Sequence, residues 1–360
     1  MLHNPVVAAD CDHIHSHFTE RGRLKDSTVL LTGCGGFLGF YFLHYLVRHG
    51  RDLGIRRVIG LDNFKLQRSK WLEDLCAQFP QYLQVHTFDI AADDLSNVEG
   101  ALQADHIIHM ASIASPTFYR QYPLATIEAN IWGLRALLEH FKDRKLKGFL
   151  FFSSSEIYGD PDAANIPTAE EYNGNVSCVG PRACYDESKR FGETVCSIYA
   201  QQYRLPLTVV RPFNNYGPGM RLNDGRIPAD MAKAVVEGRD LVLFSDGTPT
   251  RTFCYVADAV VGYLKALTYG RFDYFNIGID TPEVSMRDFA QICAGAGRKI
   301  FNYSGQVRLD KPAEKDYLTH NPSRRCPDIS KARRMLGFAP SISVEQGVER
   351  FFEFLKTSKA

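Results

Sequence analysis

Residues of types and spacings suited to chemistry gather at a few places in this 360-residue chain. Tyr185-Asp186-Glu187-Ser188-Lys189 sets a phenol and an ammonium at i and i+4, hence on one face of a helix that starts there. A nearby cation lowers the cost of forming phenolate, so such a tyrosine can act as a base near neutral pH. Alone, a Tyr-x-x-x-Lys pair describes many exposed helix faces; this one gains meaning from its position after five short apolar runs that read as strands. Ser153, Ser154 and Ser155 follow the fifth run, and the C-terminal ends of strands are where open α/β sheets bind ligands. Glu156, next in line, can exchange a proton.

Upstream, Gly33, Gly36 and Gly39 form Gly-x-x-Gly-x-x-Gly directly after an apolar run and directly before a helical pattern. A pyrophosphate can sit on such a helix N-terminus, where backbone N–H groups point at it and the helix dipole favours negative charge. Glycine is needed where a side chain would block the turn or the phosphate. A tight turn that only packs helix on strand would show the same triplet. The second run, Arg57 to Leu61, ends on Asp62, placed where a dinucleotide site needs an acid for the adenosine ribose diol. A carboxylate there repels a 2′-phosphate, which favours NAD over NADP, although Lys65 and Arg68 lie close by.

The elements that must position these groups follow from hydrophobic period. Thr28–Leu31, Arg57–Leu61, Leu83–Phe88, His106–Met110 and Phe149–Phe152 read as strands, with helical segments such as Phe40–His49, Pro116–Phe141 and Tyr185–Tyr203 among them. Alternation of this kind predicts an α/β fold, a Rossmann-type doubly wound parallel sheet. Beyond Leu207–Val210 the alternation loosens, which predicts a smaller C-terminal α/β substrate-binding lobe. The expected division is a polar, irregular N-terminal extension over 1–26, a dinucleotide-binding part with the catalytic residues over 27–215, and a mainly substrate-binding lobe over 216–360 whose segments interleave with it. There is no internal repeat or flexible linker, so the parts should pack closely.

Composition excludes several classes of function. Lys and Arg total 42 against 41 Asp and Glu, a formal charge of +1, with 45% hydrophobic and 23% charged residues. That is an ordinary globular profile, unsuited to disorder or to tracking a nucleic-acid backbone. Nine scattered cysteines without a Cys-x-x-Cys spacing suggest reduced thiols in a cytoplasmic protein. The most apolar stretch, Phe37 to Val47, is too short to cross a bilayer, and no signal-peptide pattern opens the chain, so neither membrane nor export is expected.

In combination, Thr-Gly-x-x-Gly-Phe-Leu-Gly at 32–39, Tyr-x-x-x-Lys at 185–189 and Arg-Pro-Phe-Asn-x-Tyr-Gly-Pro at 211–218 resemble the extended short-chain dehydrogenase/reductase superfamily of nucleotide-sugar epimerases, dehydratases and decarboxylases. The resemblance runs from about Ser27 to Phe354. It implies that Tyr185 removes the proton of a sugar hydroxyl, usually O4, that Ser154 hydrogen-bonds the same oxygen, and that Lys189 holds the nicotinamide ribose while hydride passes from C4 to NAD and is later returned. It further implies cofactor contacts from Phe37, Leu38, Asn63, Asp89, Ile90 and Ala111, and substrate contacts from Ser155, Asn214, Arg226, Arg251 and Arg325. Relatives pair the helices corresponding to Pro116–Phe141 and Tyr185–Tyr203 into a four-helix dimer interface, so a homodimer is implied.

Ser154-Ser155-Glu156 helps choose among outcomes. A 4,6-dehydratase carries Asp-Glu after the hydroxyl residue, and Ser155 cannot supply a carboxylic proton. A 4-epimerase usually has no carboxylate at Glu156. The segment, together with 180–190 and 220–226, is most similar to UDP-glucuronate decarboxylases, which implies UDP-xylose as product through a UDP-4-keto intermediate. Gly219 in place of arginine, Ile113 in place of proline and Ser154 in place of threonine depart from that group, and a UDP-hexuronate or hexose 4-epimerase stays open beside it. A non-catalytic dinucleotide-binding regulator would be expected to lack Ser154, Tyr185 and Lys189. Asp10 to His17 contains His13, His15 and His17, which on a strand would face one side as metal ligands. A short segment without a second ligand group reads better as a solvated or locally packed extension, and no metal is expected.

Overall fold

The computed structural model describes residues 4–310 and 322–358. Thr28–Thr32 forms β1, buried at every position, as its apolar run requires of a strand covered on both faces. β2 (Arg57–Asp62), β3 (Leu83–Thr87), β4 (His106–His109), β5 (Gly148–Phe152) and β6 (Leu207–Pro212) join it, and a last strand, Asp273–Ile277, completes a seven-stranded sheet. Every pairing in it is parallel. The spatial order is Asp273–Ile277, β6, β5, β4, β1, β2, β3. Winding therefore reverses between β1 and β4, the switch point at which open α/β sheets leave a crevice. Thr32 pairs in register with both Leu61 and His109, so the loops after β1, β2 and β4 open on one edge.

The helix after the glycine turn, Phe37–Arg48, is buried from Gly39 to Val47 because it is covered from two sides. One cover is the helix Val256–Leu267, itself buried along its whole length. The other corrects the expectation of an irregular N-terminal extension. Pro5–His17 is a helix, capped by the Asn4 side chain on the amides of Val6 and Val7, and it buries Val6, Val7, Asp10, Cys11 and Ile14. The helix separates His15 from the other two: His13 meets Asp258 at 2.7 Å and lies 4.1 Å from the His17 ring, whereas His15 accepts from Arg21 at 2.7 Å and stacks on His49.

Part of the C-terminal third returns to the main sheet as Asp273–Ile277, and short stretches between its helices build small sheets beside the crevice. One joins Val284–Ser285, Thr250–Arg251 and Arg324–Arg325; another pairs Leu241–Leu243 with Val307–Leu309. Among the described residues no helix is long and apolar enough to cross a membrane.

Candidate active site

A cleft of about 1150 Å³ opens along the C-terminal edge of the sheet, between it and these small sheets. Its floor begins at the glycine turn. Gly33 adopts φ +72°, and a Cβ there would lie 2.8 Å from Ala111 N and Met110 C, so only glycine lets the ends of β1 and β4 approach. A Cβ on Gly39 would fall 2.2 Å from the Cys34 carbonyl oxygen, which closes helix onto turn. Gly36 differs: nothing nearer than Gly33 O, at 3.3 Å, opposes a Cβ, and the residue caps the Phe37–Arg48 helix without a side-chain bond. The first N–H groups of that helix are thus left uncapped at the cleft, with Phe37, Leu38 and Gly39 lining it. This cradle fits a dinucleotide's pyrophosphate.

Asp62 accepts from the amides of Gly35, at 2.9 Å, and Phe64, at 2.7 Å, tying the glycine turn to the loop after β2. Burial raises its pKa against the pull of those two bonds. Asn63 donates to Asp89 at 3.1 Å, and Asp89, Ile90 and Ala111 extend the same wall. Lys65 lies over the Tyr122 ring and Arg68 over Phe64.

Further along, β5 delivers Ser153, Ser154 and Ser155 into a single helical turn, Ser155–Tyr158, which the Ser154 hydroxyl caps by accepting from Glu156 N at 3.2 Å. The helix Ala183–Tyr203 brings Tyr185 to the Ser154 hydroxyl, a hydrogen bond that offsets part of a burial effect pushing the phenol up to about 12. The Tyr185 ring stacks on Tyr119, centroids 5.2 Å apart at 12°. Lys189 sits behind it, its ammonium donating to Phe152 O at 2.7 Å and lying 5.8 Å from the centre of the Tyr185 ring. Burial lowers Lys189 to about 7.

Glu156 stands in an ion cluster that the spacing of motifs does not reveal. Both its oxygens accept from Arg325, and Arg182 binds it as well. Arg182 also reaches Asp186 at 3.4 Å. Burial would raise the Glu156 pKa, but the two guanidiniums outweigh it and hold the carboxylate below the usual range. Asp186 is pushed the other way, by burial and then by the Glu156 charge. Arg325 is therefore placed on Glu156, with Arg251 beside it, lowered to about 9 by burial and by the Arg325 charge. Arg251 itself donates to Thr250 O at 2.7 Å and Pro322 O at 2.6 Å. Arg226 pairs with Asp224 at 3.0 Å next to Phe37, and its charge bears on Tyr185. Asn214, at φ +43°, donates to Thr252 O at 2.9 Å on the cleft wall.

The cleft thus unites Ser154, Ser155, Glu156, Tyr185, Asn214, Arg226, Arg251 and Arg325 with the glycine turn. Sequence reasoning passed over Arg182, Asp186 and Tyr119. Arg182 carried one signal: a cation just ahead of a helix start opposes the helix dipole and calls for an acidic partner.

Residues 29–278 match the model of the NAD-dependent epimerase/dehydratase family. A UDP-glucuronic acid decarboxylase 1 of Xenopus tropicalis is 32% identical over 329 residues, 91% of this chain and 72% of the relative. Its namesake in Arabidopsis thaliana is 33% identical over 330 residues, 92% of this chain and 69% of the relative. Among solved structures, a UDP-glucuronic acid 4-epimerase from Bacillus cereus, in complex with UDP-glucuronic acid and NAD, superposes with TM-score 0.75 at 25% identity, covering 92% of this chain and 99% of the other. With the glycine cradle, Asp62, Ser154 and Tyr185 in one cleft and Lys189 buried behind the tyrosine, this chain belongs to the NAD-dependent epimerase/dehydratase family.

Proposed function

We propose that the chain decarboxylates UDP-glucuronate to UDP-xylose through a UDP-4-keto intermediate, with NAD as a retained cofactor. The observation that carries this reading is Glu156 beside the Ser154–Tyr185 pair, surrounded by Arg182, Arg251 and Arg325. A sugar carboxylate entering there meets cations, and C5 meets a group able to exchange a proton. Likeness to relatives named UDP-glucuronic acid decarboxylase supports the same substrate.

Gly33, Gly36, Phe37, Leu38 and Gly39 would hold the cofactor pyrophosphate, Asp62 and Asn63 the adenosine ribose, and Lys189 the nicotinamide ribose, with Asp89, Ile90 and Ala111 as walls. When bound, NAD supplies a reversible acceptor for the hydride of C4. Tyr185 takes the O4 proton while Ser154 hydrogen-bonds that oxygen. Its phenol is pushed up to about 12 by burial, so the base form depends on cations: the Arg226 charge lowers it, and the Lys189 amine, itself lowered to about 7, lies 5.8 Å from the ring centre. With C4 a ketone, the sugar is a β-keto acid: the C5–C6 bond breaks, CO₂ leaves, and the electron pair passes to the C4 oxygen as an enolate. Glu156, after taking up a proton from water, then passes it to C5, so that the decarboxylation consumes one solvent proton. An ion-paired carboxylate is a poor acid, so Arg325 turns from Glu156 to the substrate's carboxylate or diphosphate first. Ser155, Asn214, Arg226 and Arg251 complete the substrate contacts.

The likeness to the Bacillus cereus enzyme, with Gly219 and Ile113 departing from the decarboxylases, supports 4-epimerisation as a second reading, in which the 4-keto sugar rotates and CO₂ stays. Nine unpaired cysteines support a reducing, cytoplasmic location, and apolar residues exposed on two adjacent helices support a homodimer. Incubation of the protein with NAD and UDP-glucuronate should release CO₂ and give UDP-xylose by mass and NMR. Unchanged mass with inverted C4 would replace decarboxylation by epimerisation; no turnover of any UDP-hexuronate would refute both.

A further inference from the structure

The segment 217–226 runs from the Phe37–Arg48 helix to the loop after β4, along the mouth of the cleft. It is pinned at both ends. At one, Gly219 (φ +86°) lies so close to Phe40 that a Cβ would be 2.8 Å from the ring, which also explains why no larger residue stands there. At the other, the Ser115 hydroxyl donates to Asp224 O, and a Cβ on Gly225 would lie 2.4 Å from Thr117 Oγ1. Between these anchors Arg221 reaches across to the loop after β2 and donates to Gln67 O at 3.1 Å. Asp62, Asn63, Lys65, Gln67 and Arg221 all line the same corner of the cleft. The other cations of that corner are engaged elsewhere, Lys65 over Tyr122 and Arg68 with Glu73 at 3.7 Å. The Arg221 charge bears on the Asp62 carboxylate.

We infer that Arg221 is a cofactor-retaining residue: the segment 217–226 is a strap closed over the adenosine half of the bound dinucleotide, and the Arg221–Gln67 bond is its fastening. The inference rests on the NAD site proposed above. It adds that release of the dinucleotide requires this contact to break, because the strap cannot swing from either pinned end. An enzyme that oxidises and re-reduces one sugar per cycle gains from such retention, since losing the reduced cofactor midway would strand the keto sugar.

The test is cofactor exchange, read without turnover. Wild-type protein, Arg221→Ala and Arg221→Lys are loaded with NAD, passed over a desalting column and chased with excess fluorescent etheno-NAD. Arg221 is half-buried and its hydrogen bond goes to a main-chain oxygen, so thermal melts should show all three folded. Arg221→Ala should exchange about tenfold faster than wild type, the loss of one charge-assisted bond, with Arg221→Lys in between. Exchange rates for Arg221→Ala within twofold of wild type, in protein that binds NAD, would overturn the strap and leave the NAD site standing. Wild-type protein that binds no NAD in titration would overturn both. If Arg221→Ala melts early, Arg221→Gln is the substitute, and unchanged exchange in it counts against the strap.

Discussion

In the proposed mechanism Arg182 and Tyr185, less than one helical turn apart, divide the work of the cleft: the phenol takes the O4 proton, while the guanidinium helps hold Glu156 ionised. Tyr185→Phe keeps the ring stacked on Tyr119 and removes the acid–base group, so kcat should fall by about 10²- to 10⁴-fold while calorimetric titration still shows UDP binding. Wild-type turnover would reassign the base. Arg182→Met breaks a buried ion pair and should cost about 3 kcal/mol of stability near neutral pH. The pH dependence has a definite sign. The folded Glu156 pKa lies below its unfolded value, so the pairing stabilises above the ordinary carboxylate range and is lost as pH falls through the lowered value. The gap between wild-type and Arg182→Met melting temperatures should therefore narrow on acidification, Glu156 and Asp186 titrating as a pair. A gap independent of pH would mean that Arg182 acts by packing alone.

At the scale of elements, the Pro5–His17 helix is the piece whose role changed most on folding. Its apolar period was present in Val7, Cys11, Ile14 and Phe18, but the polar residues among them read as an irregular tail. The missing fact was Asp10, fully buried, where it accepts from Tyr41 at 2.7 Å and Tyr255 at 2.6 Å and pairs with Arg350 at 2.8 Å. One carboxylate thus joins the N-terminal helix, the glycine-turn helix, the start of Val256–Leu267 and the C-terminal helix Val344–Thr357. Asp10→Ala leaves two buried hydroxyls and a guanidinium unpartnered, and chemical denaturation should show a loss of about 3 kcal/mol or more. A loss below about 0.5 kcal/mol, the size expected of a surface change, would mean that the network is dispensable. The glycine turn, by contrast, was legible from spacing, and one of its requirements is set by a near neighbour, the Gly39 clash being with Cys34 five residues away, although the need for glycine at 33 comes from Met110 and Ala111 after β4.

For the whole molecule, five of the nine large hydrophobic side chains exposed among the described residues lie on two adjacent helices, while Val179, Phe244, Leu309 and Met335 lie elsewhere. Leu124 is 73% exposed, Trp132 55%, Phe191 52% and Ile198 46%, on the Pro123–Phe141 segment and the Ala183–Tyr203 helix, which pack together. Phe191 and Ile198 are seven residues apart and share a helix face. A face of this kind is suited to a second copy of itself about a two-fold axis. Phe191→Glu should convert the proposed homodimer into a monomer in light scattering after size exclusion, without unfolding, since the residue is exposed. A wild-type monomer at micromolar concentration would refute the assembly.

The amino-acid sequence by itself determined the chemistry that local geometry carries. The glycine triplet, Asp62 at a strand end, Ser154 after β5 and the Tyr185–Lys189 pair all depend on turn, strand and helix periods, which repeat over a few residues. Only the tertiary structure decided which distant charges meet them. Arg325 reaches Glu156 across 169 residues of sequence, and Arg221 reaches Gln67 across 154. Such partners depend on the strand order, which brings several loops to one edge of the sheet, and an arginine's type says nothing about which loop it will face. The nearly balanced charge of the chain conceals this sorting: burial in one cleft turns a few of its many cations into groups that set the pKa values of their neighbours, while others, such as Arg211 on Glu193, are buried elsewhere or lie on the surface.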